Sequence, residues 1–179
     1  MDREELGRRI YSACYLTGQF RLRSGQVSSA YFDKYRLEAD PVLLREVGGA
    51  LASQLPAGTE VVAGLELGGV PLATVVSQLT GLPAAFVRKA AKPYGTCQLA
   101  EGAPVEGRRV AVVEDVVTTG GQVVASCLEL AAAGARVRSV LCVVDREAGA
   151  SASLAAHGVA LSSLFTLAEL GALAGQPRP

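Results

Sequence analysis

VAVVEDVVTTGGQ, Val110 to Gln122, runs from four apolar residues into two adjacent acids and then into a turn rich in hydroxyls and glycine. A short continuous apolar run suits a strand buried on both faces of a parallel sheet. Glu114 and Asp115 then stand where that strand is expected to emerge, and two neighbouring carboxylates there are costly unless something binds them. Both are expected to face a ligand. Thr118, Thr119, Gly120 and Gly121 open the next predicted helix, so hydroxyls and unpaired backbone N–H groups converge at its positive end, which makes a cradle for phosphate. A phosphorylated sugar asks for this pairing, because its hydroxyls donate to carboxylates while its phosphate accepts from amides. Solvated acids followed by a capped helix would be the bland alternative, and the ordered combination argues against it. No GxxxxGK[ST] occurs, and no GxGxxG follows a strand.

The same rhythm extends outward. Val61 to Gly64, Ala84 to Val87 and Val137 to Val144 are further apolar runs, and helices fit between them at Val70 to Thr80 and at Gly121 to Ala133, the latter closed by Gly134. The predicted fold is α/β, a mostly parallel central sheet flanked by helices. Ligands of such sheets sit beyond the carboxyl ends of the strands, which points to the loops after Gly64, Val87, Val113 and Val144. Upstream, Glu4 to Leu16 has helical spacing, and Asp40 and Pro41 announce a helix carrying Leu43, Leu44, Val47 and Leu51. Phe20 to Leu22 and Tyr31 to Asp33 are short strand candidates.

With 179 residues the chain suits one domain, expected over 1–179, and can bury about 70% of its unfolded surface without metals or disulfides. Seventeen basic residues balance seventeen acidic ones, so no overall field draws in nucleic acid, and any anion site must be local. Leu67 to Val87 and Ala148 to Ala168 are uncharged, but glycine with proline, or Ser, Gly and His157, interrupt them, so no membrane span is expected. The start, MDREELGRR, alternates charge where a secretion signal needs an apolar run, and a cytoplasmic location is expected. Cys14, Cys97, Cys127 and Cys142 form no CxxC pair and are expected as free thiols. A mechanism built on the single histidine, His157, is disfavoured.

Three other segments carry charge or aromatic rings in suggestive order. GLELGGVPLA, Gly64 to Ala73, brings Gly68 and Gly69 before a helix start, where the backbone can approach an anion closely. FVRKAAKPYGT, Phe86 to Thr96, gathers Arg88 with Lys89 and Lys92, two of only three lysines in the chain, into a predicted lid for a polyanion. FRLRSGQVSSAYFDKY, Phe20 to Tyr35, sets Arg23 at a Ser-Gly turn before Tyr31 and Phe32, with Lys34 close behind, offering a cation and a stacking surface to a flat anionic ring.

Val110 to Gln122 closely resembles the phosphoribosyl diphosphate (PRPP) signature of type I phosphoribosyltransferases. The resemblance implies that Glu114 and Asp115 hold the ribose hydroxyls and that Thr118 to Gln122 hold the 5-phosphate. Gly68 and Gly69 resemble that family's pyrophosphate loop, although some orotate enzymes have lysine where Gly68 stands. Arg88, Lys89, Lys92 and Tyr94 resemble the catalytic loop of orotate phosphoribosyltransferases, which often carries histidine at the place of Tyr94. Arg23, Tyr31, Phe32, Thr118 and Arg146, the last within DREAG at Asp145 to Gly149, resemble the orotate-binding set, with arginine for the more usual lysine at Arg23. The resemblance covers residues 20 to 149. It implies transfer of phosphoribose from PRPP to orotate, with Lys89, Lys92, Arg88 and Asp115 catalytic and magnesium bound mainly through PRPP. It also implies a small N-terminal hood, about residues 1–40 with the C-terminal segment, over the base, and a homodimer with shared active sites. A purine-base transferase and a PRPP-sensing regulator are the rivals. The orotate-like set disfavours the first, and the balanced charge and lysine-bearing lid disfavour the second.

Overall fold

The computed structural model describes residues 1–21, 25–89 and 99–175. Asp2 starts the first helix, α1 (Arg3–Cys14), by accepting from the Glu5 N–H at 2.8 Å, and Glu4 and Glu5 add negative charge at its positive end. Its buried stripe is Leu6, Ile10, Tyr11 and Cys14. The helical spacing suggested continuation to Leu16. Instead Tyr15 turns extended, because Tyr15 and Leu16 find cross-strand partners in Phe32 and Tyr31. The result is an antiparallel hairpin of β1 (Tyr15–Arg21) and β2 (Val27–Phe32), separate from the main sheet. A short helix, α2 (Tyr35–Ala39), buries Leu37. It leads into α3 (Pro41–Ser53), where Asp40 Oδ1 accepts from the N–H groups of Val42 and Leu43 as its capping position requires.

The regular half follows as β3 (Val61–Leu65), α4 (Gly69–Thr80), β4 (Ala84–Val87), β5 (Ala100–Gly102), β6 (Arg109–Val117), α5 (Gly121–Ala132), β7 (Arg136–Asp145), α6 (Ala150–Ala155), β8 (Ala160–Thr166) and α7 (Leu167–Leu173). The six strands order as β5-β4-β3-β6-β7-β8, all parallel except the antiparallel edge strand β5. Alternate residues divide between two cores. Val61, Ala63 and Leu65 pack with α5 and α6 on one face, whereas Val62 packs with α1, α3 and α4 on the other. Burial on both faces is why the strands read as unbroken apolar runs.

The structure corrects the reading of residues 110–122 in one respect. β6 does not end at Val113 but continues to Val117, and Glu114 pairs in register with Cys142 of β7. The two acids therefore lie inside a central strand, not in the loop beyond it. Beyond the segment read as a lid, Phe86 to Thr96, the chain forms the short strand β5, which the apolar runs did not announce. Ala148 to Ala168 divides into α6, β8 and the start of α7. No helix among the described residues is long and apolar enough to cross a membrane.

Candidate active site

Beyond the carboxyl ends of β3, β4 and β6 lies a hollow of about 280 Å³. Its floor is the turn Thr118–Gln122. Gly120, at φ 79°, takes the left-handed conformation that turns the chain into α5, and no side chain caps the first turn of that helix. The helix thus presents uncapped N–H groups to the hollow. Glu114 forms one wall, and Arg88 and Lys89, from the end of β4, form the opposite one. Arg88 Nε is buried without a hydrogen-bond partner, a donor fixed beside an anion-sized space. The Lys89 N–H donates to Glu66 Oε1 at 2.7 Å, which ties the loop after β3 to the loop after β4.

A second hollow, about 210 Å³, adjoins the first. Tyr31 and Phe32 come from β2 and Arg146 from the loop after β7, whose N–H donates to the Val117 carbonyl at 2.9 Å. Tyr31 stacks on Phe20, ring centroids 5.6 Å apart, and keeps a partly exposed face. Lys34, Val116 and Thr118 line both hollows. Flat aromatic surface, a free guanidinium and a shared wall with the anion cradle are what a planar anionic base beside a sugar phosphate requires.

Between hollows and core sits a charged corner. Asp115, expected to face a ligand, is fully buried and lines neither hollow. Its Oδ2 lies 2.7 Å from Lys34 Nζ, an ion-pair distance, although the approach is off the direction of a good hydrogen bond. Glu38 Oε1, from α2, is buried nearby without a hydrogen-bond partner. Burial and the neighbouring Asp115 carboxylate push Glu38 up to about 8. Burial, then Asp115, pushes Glu114 up to about 9. For Lys34, burial alone would lower the ammonium, but its contact with the Asp115 and Glu114 carboxylates outweighs this, and the net shift is upward.

Gly68 belongs to this corner. A Cβ there would fall on the Asp115 carboxylate and lie 2.7 Å from Glu38 Oε1, while one at Gly69 would meet the Val113 carbonyl. Both glycines are set by close approach to β6, and their neighbours Glu66 and Leu67 line the hollow in their stead. The structure thus brings Glu114, Thr118, Thr119, Gly120, Gly121, Gln122, Arg88 and Lys89 to one hollow and Tyr31, Phe32, Thr118 and Arg146 to the other. Arg23, Lys92 and Tyr94 lie outside the described residues. Sequence reasoning passed over Glu38 and Glu66 and gave Lys34 no role of its own. The only signal for Lys34 was its scarcity, as one of three lysines.

The remaining candidates stay apart from these hollows. Cys14, Cys127 and Cys142 are free and buried, and burial pushes all three thiols up, Cys14 to about 12 and Cys127 to about 11, so they are poor nucleophiles. The exposed His157 hydrogen-bonds through Nδ1 to the Ser153 carbonyl at 3.0 Å. In a larger hollow of about 500 Å³ beside α1 and α3, the N-terminal ammonium pairs with Glu46, and Arg3 pairs with Glu169.

Comparison with known proteins agrees with this geometry. Residues 37–158 match the phosphoribosyl transferase domain family. The chain is 55% identical over 163 residues to an orotate phosphoribosyltransferase of Nocardioides sp., covering 91% of each protein. An orotate phosphoribosyltransferase crystal structure from Mycobacterium tuberculosis superposes with a TM-score of 0.85 at 34% identity, covering 96% of this chain and 99% of the other. A second crystal structure of that enzyme, in complex with PRPP, gives 0.80 at 32% identity, with 96% and 99% covered.

Proposed function

The chain belongs to the orotate phosphoribosyltransferase family, and we propose that its paired hollows transfer the phosphoribosyl group of PRPP to orotate, giving orotidine 5'-monophosphate and pyrophosphate for pyrimidine synthesis. The observation that carries the assignment is the shared wall: an anion cradle with an acid beside it abuts an aromatic hollow with a free arginine. In this reading the uncapped N-terminus of α5, with Thr118 to Gln122, binds the 5-phosphate, and Glu114, backed by the buried Asp115, serves the ribose hydroxyls. The loop with Gly68 and Gly69, together with Arg88, Lys89, Lys92 and Tyr94, serves the pyrophosphate. Arg23, Tyr31, Phe32, Thr118 and Arg146 hold orotate.

Breaking the bond at the anomeric carbon builds positive charge on the ribose and negative charge on the departing pyrophosphate, while an orotate nitrogen attacks. Arg88 Nε and the Lys89 ammonium stabilise the leaving charge, and the aromatic hollow aligns the ring for attack. No protein nucleophile is needed, and among the described residues no cysteine lines either hollow. Magnesium is placed mainly on the oxygens of PRPP, which match its preference for oxygen ligands and retained waters. When bound there, magnesium would neutralise charge on the pyrophosphate. The cytoplasmic setting, the hood formed by residues 1–40 with the C-terminal segment, and a homodimer with shared sites complete the reading.

Orotate consumption followed by ultraviolet absorbance tests it. Turnover is expected only with PRPP and magnesium both present. Equal use of uracil or hypoxanthine would show that the second hollow does not select the orotate carboxylate.

A further inference from the structure

The corner behind Glu114 contains more acid than base. Glu38, Glu114 and Asp115 converge on one ammonium, Lys34, whose Nζ is 2.7 Å from Asp115 Oδ2. Two of the buried oxygens there, Glu38 Oε1 and Asp115 Oδ2, lack a well-directed hydrogen bond, and the missing side chain at Gly68 leaves them the space they occupy. Lys34 also lines both hollows, which only Val116 and Thr118 otherwise do. Val116 is apolar and Thr118 neutral, so Lys34 is the one charged group of the common wall among the described residues.

We infer that Lys34 is a positioning residue of the phosphoribosyl site: its ammonium, held on Asp115, fixes the buried end of the acidic pair, so that Glu114, which lines the phosphate hollow, stays oriented towards the ribose hydroxyls. The inference rests on the PRPP reading above. Without Lys34, Asp115 would be a buried carboxylate with no cationic partner among the described residues, and the corner behind Glu114 would rearrange to relieve it. Lys34 acts through Asp115 and need not touch the sugar. Glu38 completes the corner by retaining a proton, so that one ammonium suffices for three carboxyl groups.

The groups that face this corner are Asp33, Tyr35 and Glu38 around Lys34 itself, Glu114 and Asp115 on β6, and the Cys142 thiol on β7. Every one of them except Lys34 is an acid. Removing the lysine therefore leaves the corner with no positive charge among the described residues, and PRPP affinity should fall.

Calorimetric titration of the 179-residue chain with PRPP and magnesium tests this. Absence of binding by the wild type would overturn the PRPP reading itself. Given wild-type binding, Lys34→Met is expected to weaken PRPP at least tenfold at pH 7. Lys34→Arg, which keeps the positive charge, should retain most of the affinity. Lys34→Gln, closer to lysine in length and polarity, is measured in parallel and should behave as Lys34→Met, so that a folding defect in one variant does not decide the result. Wild-type affinity in a folded Met or Gln variant, or a loss in Lys34→Arg as large as in Lys34→Met, would overturn the inference.

Discussion

Arg146 is exposed, lines the aromatic hollow, and is anchored only through its backbone to Val117. Its guanidinium is free to pair with an anionic ring, so Arg146→Ala should raise the KM for orotate by the worth of one charge-assisted hydrogen bond, about 1.5–3 kcal/mol. PRPP binding measured by calorimetry should stay within about twofold of wild type, the reproducibility of such a titration, since the arginine lies outside the phosphate cradle. Glu38 makes a different prediction. Its folded-state value lies far above that of an unfolded glutamate, mainly through burial and then Asp115. The folded chain therefore holds a proton that the unfolded chain releases, and the stability this confers is complete at low pH and is lost as pH rises from the ordinary carboxylate range towards about 8. Glu38→Gln keeps the shape and cannot ionise. Melting temperatures of variant and wild type should lie close together near pH 5 and diverge in favour of the variant by pH 8.5. Parallel melting curves would mean that Glu38 is ionised throughout.

At the scale of elements, α3 and the loop before α4 were legible to different degrees. Asp40 followed by Pro41 is a complete local signal, and its capping bonds form as the residue types require, so Asp40→Ala should cost about 0.5–2 kcal/mol by thermal or denaturant unfolding. The parallel strands were legible too, because burial on both faces leaves an apolar run. The end of β6 was not. Sequence rules place acids at strand ends, yet Glu114 and Asp115 stay inside the strand because Lys34, far upstream and just ahead of α2, reaches Asp115. No local pattern reports a partner at that separation. The hairpin β1–β2 was half legible, since the spacing of Tyr15 and Leu16 continues a helix while their pairing is long-range. The glycines at 68 and 69 suggested a ligand, but their immediate reason is contact with β6. Gly68→Ala should thus destabilise the fold by about 1–3 kcal/mol, as overpacking does. Gly121, at the start of α5, has nothing within 4 Å of the place a Cβ would take and no left-handed backbone, so Gly121→Ala should leave the melting temperature close to wild type.

At the scale of the whole molecule, the cations proposed for the pyrophosphate divide between Arg88 and Lys89, which line the hollow, and Lys92, which falls outside the described residues. In the shared-site dimer proposed above, Lys92 serves the neighbouring subunit's hollow while Glu114 serves its own. The two requirements can then be separated between chains. Lys92→Ala and Glu114→Gln subunits should each be nearly inactive as pure dimers, because every site lacks one group. A mixed dimer contains one site with both defects and one with neither. If subunits pair at random, half the dimers are mixed and half of their sites are intact, so co-refolded equimolar mixtures should regain roughly a quarter of wild-type activity. The measurement needs subunit exchange verified independently, for instance by a mass tag on one variant. Proven exchange with no recovered activity would mean that Lys92 acts on the hollow of its own chain, and that any dimer supports the site without completing it.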